Sequence, residues 1–162
     1  MPTPSTLHVE TLVALRHLAT EKSDVDVATW EALIEAATAA RLHAHAPYSR
    51  FLVGAAVLDE HGRLHAGCNV ENAAYPQGVC AEAGALSAMV LAGGRRLRAV
   101  VVLGDAGGAL VTPCGGCRQK LREFGAADLP ILIADPQRAL ARFTLDDLLP
   151  HSFGPDHLSL NP

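Results

Sequence analysis

Three cysteines in two separated segments most constrain how this chain can fold. Cys114 and Cys117 form a Cys-x-x-Cys pair directly after Pro113, whereas Cys80 opens an apolar segment well upstream. Two thiols three residues apart on a helix can face one point. The pair alone does not define a function, because redox centres and zinc sites both use this spacing.

Cys80 and Glu82 add the information that the Cys-x-x-Cys pair lacks. A structural zinc site uses four protein ligands, whereas three leave one position open, which is typical of catalytic zinc. Glu82, two residues after Cys80, can lie beside a metal without binding it and can transfer protons there. Three cysteines with a non-ligating glutamate are typical of zinc deaminases. The sequence therefore predicts a Zn²⁺ site formed by Cys80, Cys114 and Cys117, with Glu82 as the catalytic residue.

Each of these residues also has an ordinary structural explanation. Cys80 alone could be a buried core cysteine, and Glu82 alone could be an acidic residue favoured at a helix N-terminus. Their joint occurrence with the Cys-x-x-Cys pair favours the metal site. Cys68 lies in an apolar strand and is predicted to pack in the core. Several histidines have no ligand spacing and are interpreted as surface or packing residues: His43, His45, His61, His65 and His151.

The hydrophobic pattern predicts helices that alternate with strands. A helix over Ala28–Ala44 precedes a hairpin, and later segments alternate between the two types. The hairpin strands are Phe51–Leu58 and Leu64–Val70; the later helices are Cys80–Leu91, Cys114–Phe124 and Leu145–Leu148; the later strands are Leu97–Leu103 and Pro130–Ala134. This order predicts one α/β domain, residues 28–162, with a mixed sheet in a three-layer α/β/α arrangement. Residues 1–27 are an N-terminal extension of unassigned role.

Composition argues against nucleic acids and membranes as partners. The net charge is −4, with 17 acidic and 13 basic residues, and aromatic residues make up only 4%. Binding a phosphate backbone favours a basic surface, so a polynucleotide substrate is disfavoured. No apolar run approaches the ~20 residues that span a bilayer. The N-terminus has no pattern of a secretion signal, so a cytoplasmic location is expected.

Five segments resemble the homotetrameric zinc-dependent cytidine deaminases, in matching order and with matching gaps. These segments are Tyr48–Ala56, Gly67–Pro76, Cys80–Glu82, Pro113–Gln119 and Leu148–Pro155. The resemblance implies a cytidine deaminase-like fold and hydrolytic removal of the C4 amino group of a cytosine nucleoside. Its implied reaction converts cytidine and 2′-deoxycytidine to uridine and 2′-deoxyuridine in pyrimidine salvage. It also implies a homotetramer whose sites are shared between subunits.

The resemblance assigns further roles to individual positions. Asn69 and Glu71 match the pair that grips the ribose 3′-hydroxyl, and they lie one pleat apart, so they point the same way from a strand. Phe51 matches a residue that lines the pyrimidine pocket. Phe153 matches an aromatic residue that stacks on the base in a neighbouring subunit's pocket. Tyr75 matches a residue near the subunit junction.

One departure from the family pattern leaves alternatives open. The family commonly reads Cys-Ala-Glu-Arg, but Ala83 replaces the arginine that offsets thiolate charge. Two helix N-termini or Arg118 are candidate replacements for that positive charge. The departure leaves a second enzymatic hypothesis, deamination of a modified cytosine nucleoside or a cytosine-containing antibiotic. A third hypothesis, a structural zinc module that binds a partner protein, requires a fourth ligand and no role for Glu82.

Overall fold

The first helix, α1 (Val27–Arg41), begins where Asp26 caps it. In the computed structural model, which describes residues 24–158, the Asp26 carboxylate accepts a hydrogen bond from the amide of Thr29 at 2.7 Å. The helix buries Trp30 and three further apolar residues against the sheet. It ends at Arg41, before the predicted Ala44, because the next three amides bond to carbonyls three residues back instead of four.

A five-stranded mixed sheet forms the centre of the fold. Its strands are β1 (Val53–Asp59), β2 (Leu64–Cys68), β3 (Leu97–Gly104), β4 (Pro130–Ala134) and β5 (Ala139–Thr144). Their order across the sheet is β2-β1-β3-β4-β5. The β3–β4 pair is parallel, whereas the other neighbouring pairs are antiparallel.

Helices cover both faces of this sheet. On one face, α1 packs with alternate residues of β1, β3 and β4. The opposite face packs against α2 (Ala81–Leu91), α3 (Gly115–Phe124) and α4 (Leu145–Leu148). The predicted three-layer α/β/α arrangement is therefore confirmed. No helix within residues 24–158 combines the length and the apolar character needed to cross a membrane.

The sequence interpretation omitted β5, the last strand of the sheet. β5 lies at the sheet edge and pairs with β4 alone, and five of its six residues are only half-buried. An edge strand of this kind carries a mixed polar and apolar pattern, here interrupted by Arg142, rather than a continuous apolar run. The predicted division at residue 27 is not tested by the described residues and stays a prediction.

A buried carboxylate fixes the turn between β1 and β2. Asp59 is fully buried and accepts hydrogen bonds from the amides of His61 and Arg63 at 2.9 Å. The Arg63 guanidinium and the His65 ring each lie 2.8 Å from its second oxygen. Burial acts to raise the pKa of Asp59, but these hydrogen bonds outweigh it and hold the pKa well below its usual range. His65 is thus a packing residue, as expected, with an ionic partner.

Candidate metal and active site

The starts of two helices bring the three predicted ligands together. Cys80 immediately precedes α2, Cys114 immediately precedes α3, and Cys117 lies in the first turn of α3. The three sulfur atoms all lie within 4.8 Å of one another, and those of Cys80 and Cys114 are 3.9 Å apart. The cluster therefore contains the Cys₃ donor set that the sequence predicted.

The chemistry of the donor set fits a thiophilic divalent cation such as Zn²⁺. Burial raises the pKa of the Cys117 thiol, and the charges of Glu82 and Cys80 raise it further. For Cys114, burial also acts upward, but hydrogen bonds involving Cys117 and Cys80 lower the pKa overall. A cation between the sulfurs would offset both burial and like-charge repulsion. Three thiolates at tetrahedral positions leave one position open.

Glu82 lies beside the cysteine cluster in the first turn of α2. Its side chain is buried, with 4% of the residue exposed. One cavity, about 310 Å³ in volume, is lined by Glu82 together with Cys80 and Cys114. A carboxylate in this position can exchange protons with a molecule bound in the cavity.

Three of the four predicted substrate-binding residues line the same cavity. Phe51 lies at its wall just before β1, while Asn69 and Glu71 follow β2. A second opening of about 530 Å³ shares Asn69, Glu71 and Cys80 with the first and is bordered by Tyr48 and Tyr75. The start of β1 and the end of β2 therefore place the candidate substrate residues next to the candidate metal centre.

Asn69 and Glu71 are already hydrogen-bonded to the backbone that leads into β1. The Asn69 amide oxygen accepts from Val53 N at 2.8 Å, and its Nδ2 donates to the Phe51 carbonyl at 2.9 Å. One oxygen of Glu71 accepts from the amides of Tyr48 and Ser49, at 2.9 and 3.2 Å. Both side chains therefore also organise the segment 48–53, which sequence reasoning alone did not indicate.

Phe153 does not lie in this cavity within one chain. The residue is 58% exposed, and its ring stacks on His157, with the ring centroids 5.2 Å apart. The Gln119 side chain holds the segment through a 2.9 Å hydrogen bond to the Phe153 carbonyl. A role in a neighbouring subunit's site, implied by the resemblance, stays a prediction.

The sulfur cluster lies at two helix N-termini, whereas the Arg118 guanidinium is bonded to other groups. All three guanidinium nitrogens of Arg118 are engaged with oxygen atoms of Pro113, Leu148 and Thr112, at 2.7 to 2.9 Å. Arg118 therefore fixes the segment before Cys114. Cys80 and Cys114 occupy the N-cap positions of α2 and α3, so the partial positive charges of two helix N-termini lie near the cluster. Ala83 is half-buried in the first turn of α2.

Two further residues complete the description of the site. Cys68, at the end of β2, is half-buried and lies outside the sulfur cluster. Ser49 lines both openings and was not singled out from the sequence. Its hydroxyl accepts a 3.0 Å hydrogen bond from the amide two residues later, a local turn that serine commonly forms. A serine two residues before Phe51 was the available signal.

Comparisons with known proteins agree with this geometry. A family model of the cytidine and deoxycytidylate deaminase zinc-binding region matches residues 27–133. A cytidine deaminase of Mycobacterium tuberculosis (strain CDC 1551 / Oshkosh) is 46% identical over 135 residues, covering 83% of this chain and 95% of the relative. The chain belongs to the cytidine deaminase family. The cytidine deaminase of Sporosarcina psychrophila is 40% identical over 129 residues, covering 80% of this chain and 94% of that relative.

Solved cytidine deaminase structures share the fold. The enzyme from Burkholderia pseudomallei superposes with a TM-score of 0.71 at 43% identity, covering 76% of this chain and 98% of the other. The enzyme from Mycobacterium tuberculosis gives a TM-score of 0.67 at 44% identity, covering 81% and 99%. The family resemblance stated from the sequence is therefore confirmed at the level of family and fold.

Proposed function

We propose that this chain is a zinc-dependent enzyme that hydrolyses cytidine and 2′-deoxycytidine to uridine and 2′-deoxyuridine, with release of ammonia. The observation that carries the proposal is one cavity lined by Glu82, by two cysteines of the Cys₃ cluster and by Phe51, Asn69 and Glu71. Nucleoside recognition and proton transfer can occur together there.

Glu82 is the proposed proton carrier of the reaction. Zn²⁺ held by Cys80, Cys114 and Cys117 supplies Lewis-acid activation of water. Glu82 takes one proton from the attacking water and delivers it to ring N3, while the water oxygen bonds to C4. The carboxylate then moves the remaining hydroxyl proton to the amino group, and the C4–N bond breaks. Ammonia leaves, and Glu82 returns to its ionised form.

The sugar-binding role of Asn69 and Glu71 is compatible with their bonds inside the chain. A carboxamide has two N–H donors and two oxygen lone pairs, of which Asn69 uses one each toward the backbone. Glu71 uses one oxygen for the two amides. The remaining donor and acceptor positions are available for a ribose 3′-hydroxyl. Phe51 supplies an apolar wall for the pyrimidine.

We further propose a cytoplasmic homotetramer that acts in pyrimidine salvage. The exposed Phe153 would then stack on a base in a neighbouring subunit, and Tyr75, 77% exposed, would lie near the junction. Both aromatic side chains expose apolar surface in the single chain, and burial between subunits would remove it from water. Residues 28–162 form the proposed catalytic domain.

A panel of substrates tests the proposed function. The purified zinc-loaded protein is assayed for ammonia release from cytidine, 2′-deoxycytidine, a base-modified cytosine nucleoside and a cytosine-containing antibiotic. We expect turnover of the two ordinary nucleosides, because Asn69 and Glu71 suit an unmodified sugar. Turnover of only the modified compounds would instead support the alternative substrate class. Absence of ammonia release from all four would contradict a deaminase.

A further inference from the structure

The chain that follows α4 turns sharply and returns to α3. His151 lies in the left-handed region, with φ at +53°, which a residue with a Cβ rarely adopts. Beyond this turn, the segment 152–158 contains the exposed Phe153 and ends in a short 3₁₀ helix, Pro155–Leu158. A backbone conformation such as that of His151 persists only where the surrounding structure holds it. Contacts of the following residues must therefore keep the segment in place.

Two side chains of α3 hold this segment around Phe153. Nε of Arg122 donates to the Ser152 hydroxyl at 3.0 Å, and Nη2 of the same guanidinium donates to the Asp156 carboxylate in an ion pair. Nε2 of Gln119 donates to the Phe153 carbonyl at 2.9 Å. Side chains three residues apart leave a helix from the same face. One face of α3 therefore binds the segment before, at and after the aromatic residue.

The Arg122 guanidinium is enclosed as well as bonded. Its side chain is only 19% exposed, although it is charged. A Cβ added at Gly154 would lie 2.5 Å from Cζ of Arg122, so any larger residue there would displace the guanidinium. Charge-assisted hydrogen bonds add geometric specificity to this close packing. Arg122 therefore fixes the backbone on both sides of Phe153.

The ring of Phe153 is held by its own segment. It stacks on the His157 ring with an interplanar angle of 24°. Nδ1 of His157 in turn lies 3.1 Å from the amide nitrogen of Gly154, within hydrogen-bonding distance. The orientation of the exposed ring thus depends on the segment, and the position of the segment depends on α3.

We propose that Arg122 is a positioning residue for substrate binding in a neighbouring subunit, because it holds the segment that presents Phe153. This inference rests on the proposed function, in which Phe153 stacks on a pyrimidine bound by another chain, and adds to it the residue that orients this ring. Arg122 does not line the cavity that contains Glu82. Its loss should therefore weaken substrate binding and leave the chemical step unchanged.

The test compares Arg122→Ala and Asp156→Ala with the control Arg98→Ala. Arg98 lies on β3 and pairs with Asp24 at 2.8 Å, so the control loses an arginine and an ion pair away from the Phe153 segment. We expect Arg122→Ala to raise KM for cytidine about three- to tenfold, the effect of about one lost hydrogen bond, with kcat within about twofold and zinc content unchanged. Asp156→Ala, which alters an exposed side chain, should raise KM in the same direction. An unchanged KM in both variants would overturn the proposal.

A double-mutant comparison separates action through Phe153 from a general loss of structure. If Arg122 acts through the ring, Arg122→Ala should change KM by less than about twofold in a chain that already carries Phe153→Ala. An equal penalty with and without the Phe153 ring would contradict the positioning role. Arg98→Ala should match the wild type, and a rise in its KM as large as that of Arg122→Ala would also contradict the role.

Hydrogen–deuterium exchange keeps this test separate from the test of the proposed function, because it measures the anchoring without turnover. In the zinc-loaded Arg122→Ala protein, the amides of residues 152–157 should exchange faster than in the wild type, whereas those of β3 should not change. Equal exchange of residues 152–157 in the two proteins would show that Arg122 does not hold the segment. A wild-type protein that protects the segment but releases no ammonia would instead contradict the proposed activity.

Discussion

At the residue scale, the three cysteine sulfurs lie close together, all within 4.8 Å of one another. Cys117 lies buried beside the other two sulfurs and near the carboxylate of Glu82, and this surrounding raises its pKa. Three neighbouring thiolates would repel one another, so the cluster is suited to a bound cation that stabilises the ionised forms. The first turns of two helices add favourable partial charges.

Metal content should follow this cluster closely. Cys80→Ala, Cys114→Ala and Cys117→Ala each remove one of three ligands, so each purified variant should lose stoichiometric zinc. Cys68→Ala is the matched control, because Cys68 lies outside the cluster, and it should keep its zinc. Elemental analysis of the four variants decides the ligand set. Loss of zinc from Cys68→Ala, with retention in a cluster variant, would show that the assignment is wrong.

The roles of single residues could be predicted from sequence only where a motif specifies them. Cys80 and Glu82 are close in the chain and begin one helix, so their proximity follows from local spacing. The backbone partners of Asn69 could not be predicted, because they depend on a loop that includes the left-handed Arg50. The position of Ser49 between two pockets depends on the same loop.

At the scale of elements, close packing of α2 on β2 places the catalytic helix. A Cβ added at Gly67 would lie 2.5 Å from the Ala81 carbonyl and closer still to the amide nitrogen of Ala85. Only glycine permits this approach of helix to strand. Gly84 faces the same contact from α2, but a Cβ there would lie at an ordinary 3.5 Å from the nearest atom.

Gly67→Ala and Gly84→Ala should therefore have opposite effects. Gly67→Ala should lower the free energy of unfolding by about 1–3 kcal/mol through overpacking and should reduce zinc affinity, because α2 carries Cys80 at its start. Gly84→Ala should be neutral or stabilise by up to about 1 kcal/mol through helix propensity. Thermal unfolding and metal titration measure both effects. Equal behaviour of the two variants would show that the close approach does not position the helix.

Most elements could be predicted because their patterns are strong. The apolar face of α1 and the continuous apolar runs of β3 and β4 reflect burial on one side or both sides. β5 could not be separated from a loop, because a half-buried edge strand has no comparable signal. The strand order likewise depends on long-range pairing, which local patterns do not specify.

At the scale of the whole molecule, the proposed tetramer would bring residues of more than one chain to each site. Phe153 and Glu82 belong to different parts of one chain, and Phe153 does not line the cavity that contains Glu82. A closed symmetric assembly would repeat the same shared contact at each interface. The proposed tetramer is therefore tested by whether two defective chains can complement each other.

Co-expression of Glu82→Gln and Phe153→Ala chains tests this sharing. Each variant alone should be impaired in every site, whereas hybrid assemblies combine an intact Glu82 from one chain with an intact Phe153 from another. With random mixing of equal amounts, about a quarter of the sites should recover both intact residues. Ammonia release by the purified hybrids, compared with the separate variants, measures the recovery. Activity no higher than the average of the separate variants would contradict a shared site.

The central claim is that Glu82 transfers protons beside a zinc ion held by three cysteines. Its most direct measurement is the rate of ammonia release from cytidine by wild-type and Glu82→Gln proteins at equal zinc content. The variant keeps the shape and all three ligands, so zinc should stay bound while kcat falls by at least ~10²–10⁴-fold. Near-normal turnover by fully zinc-loaded Glu82→Gln would contradict the account.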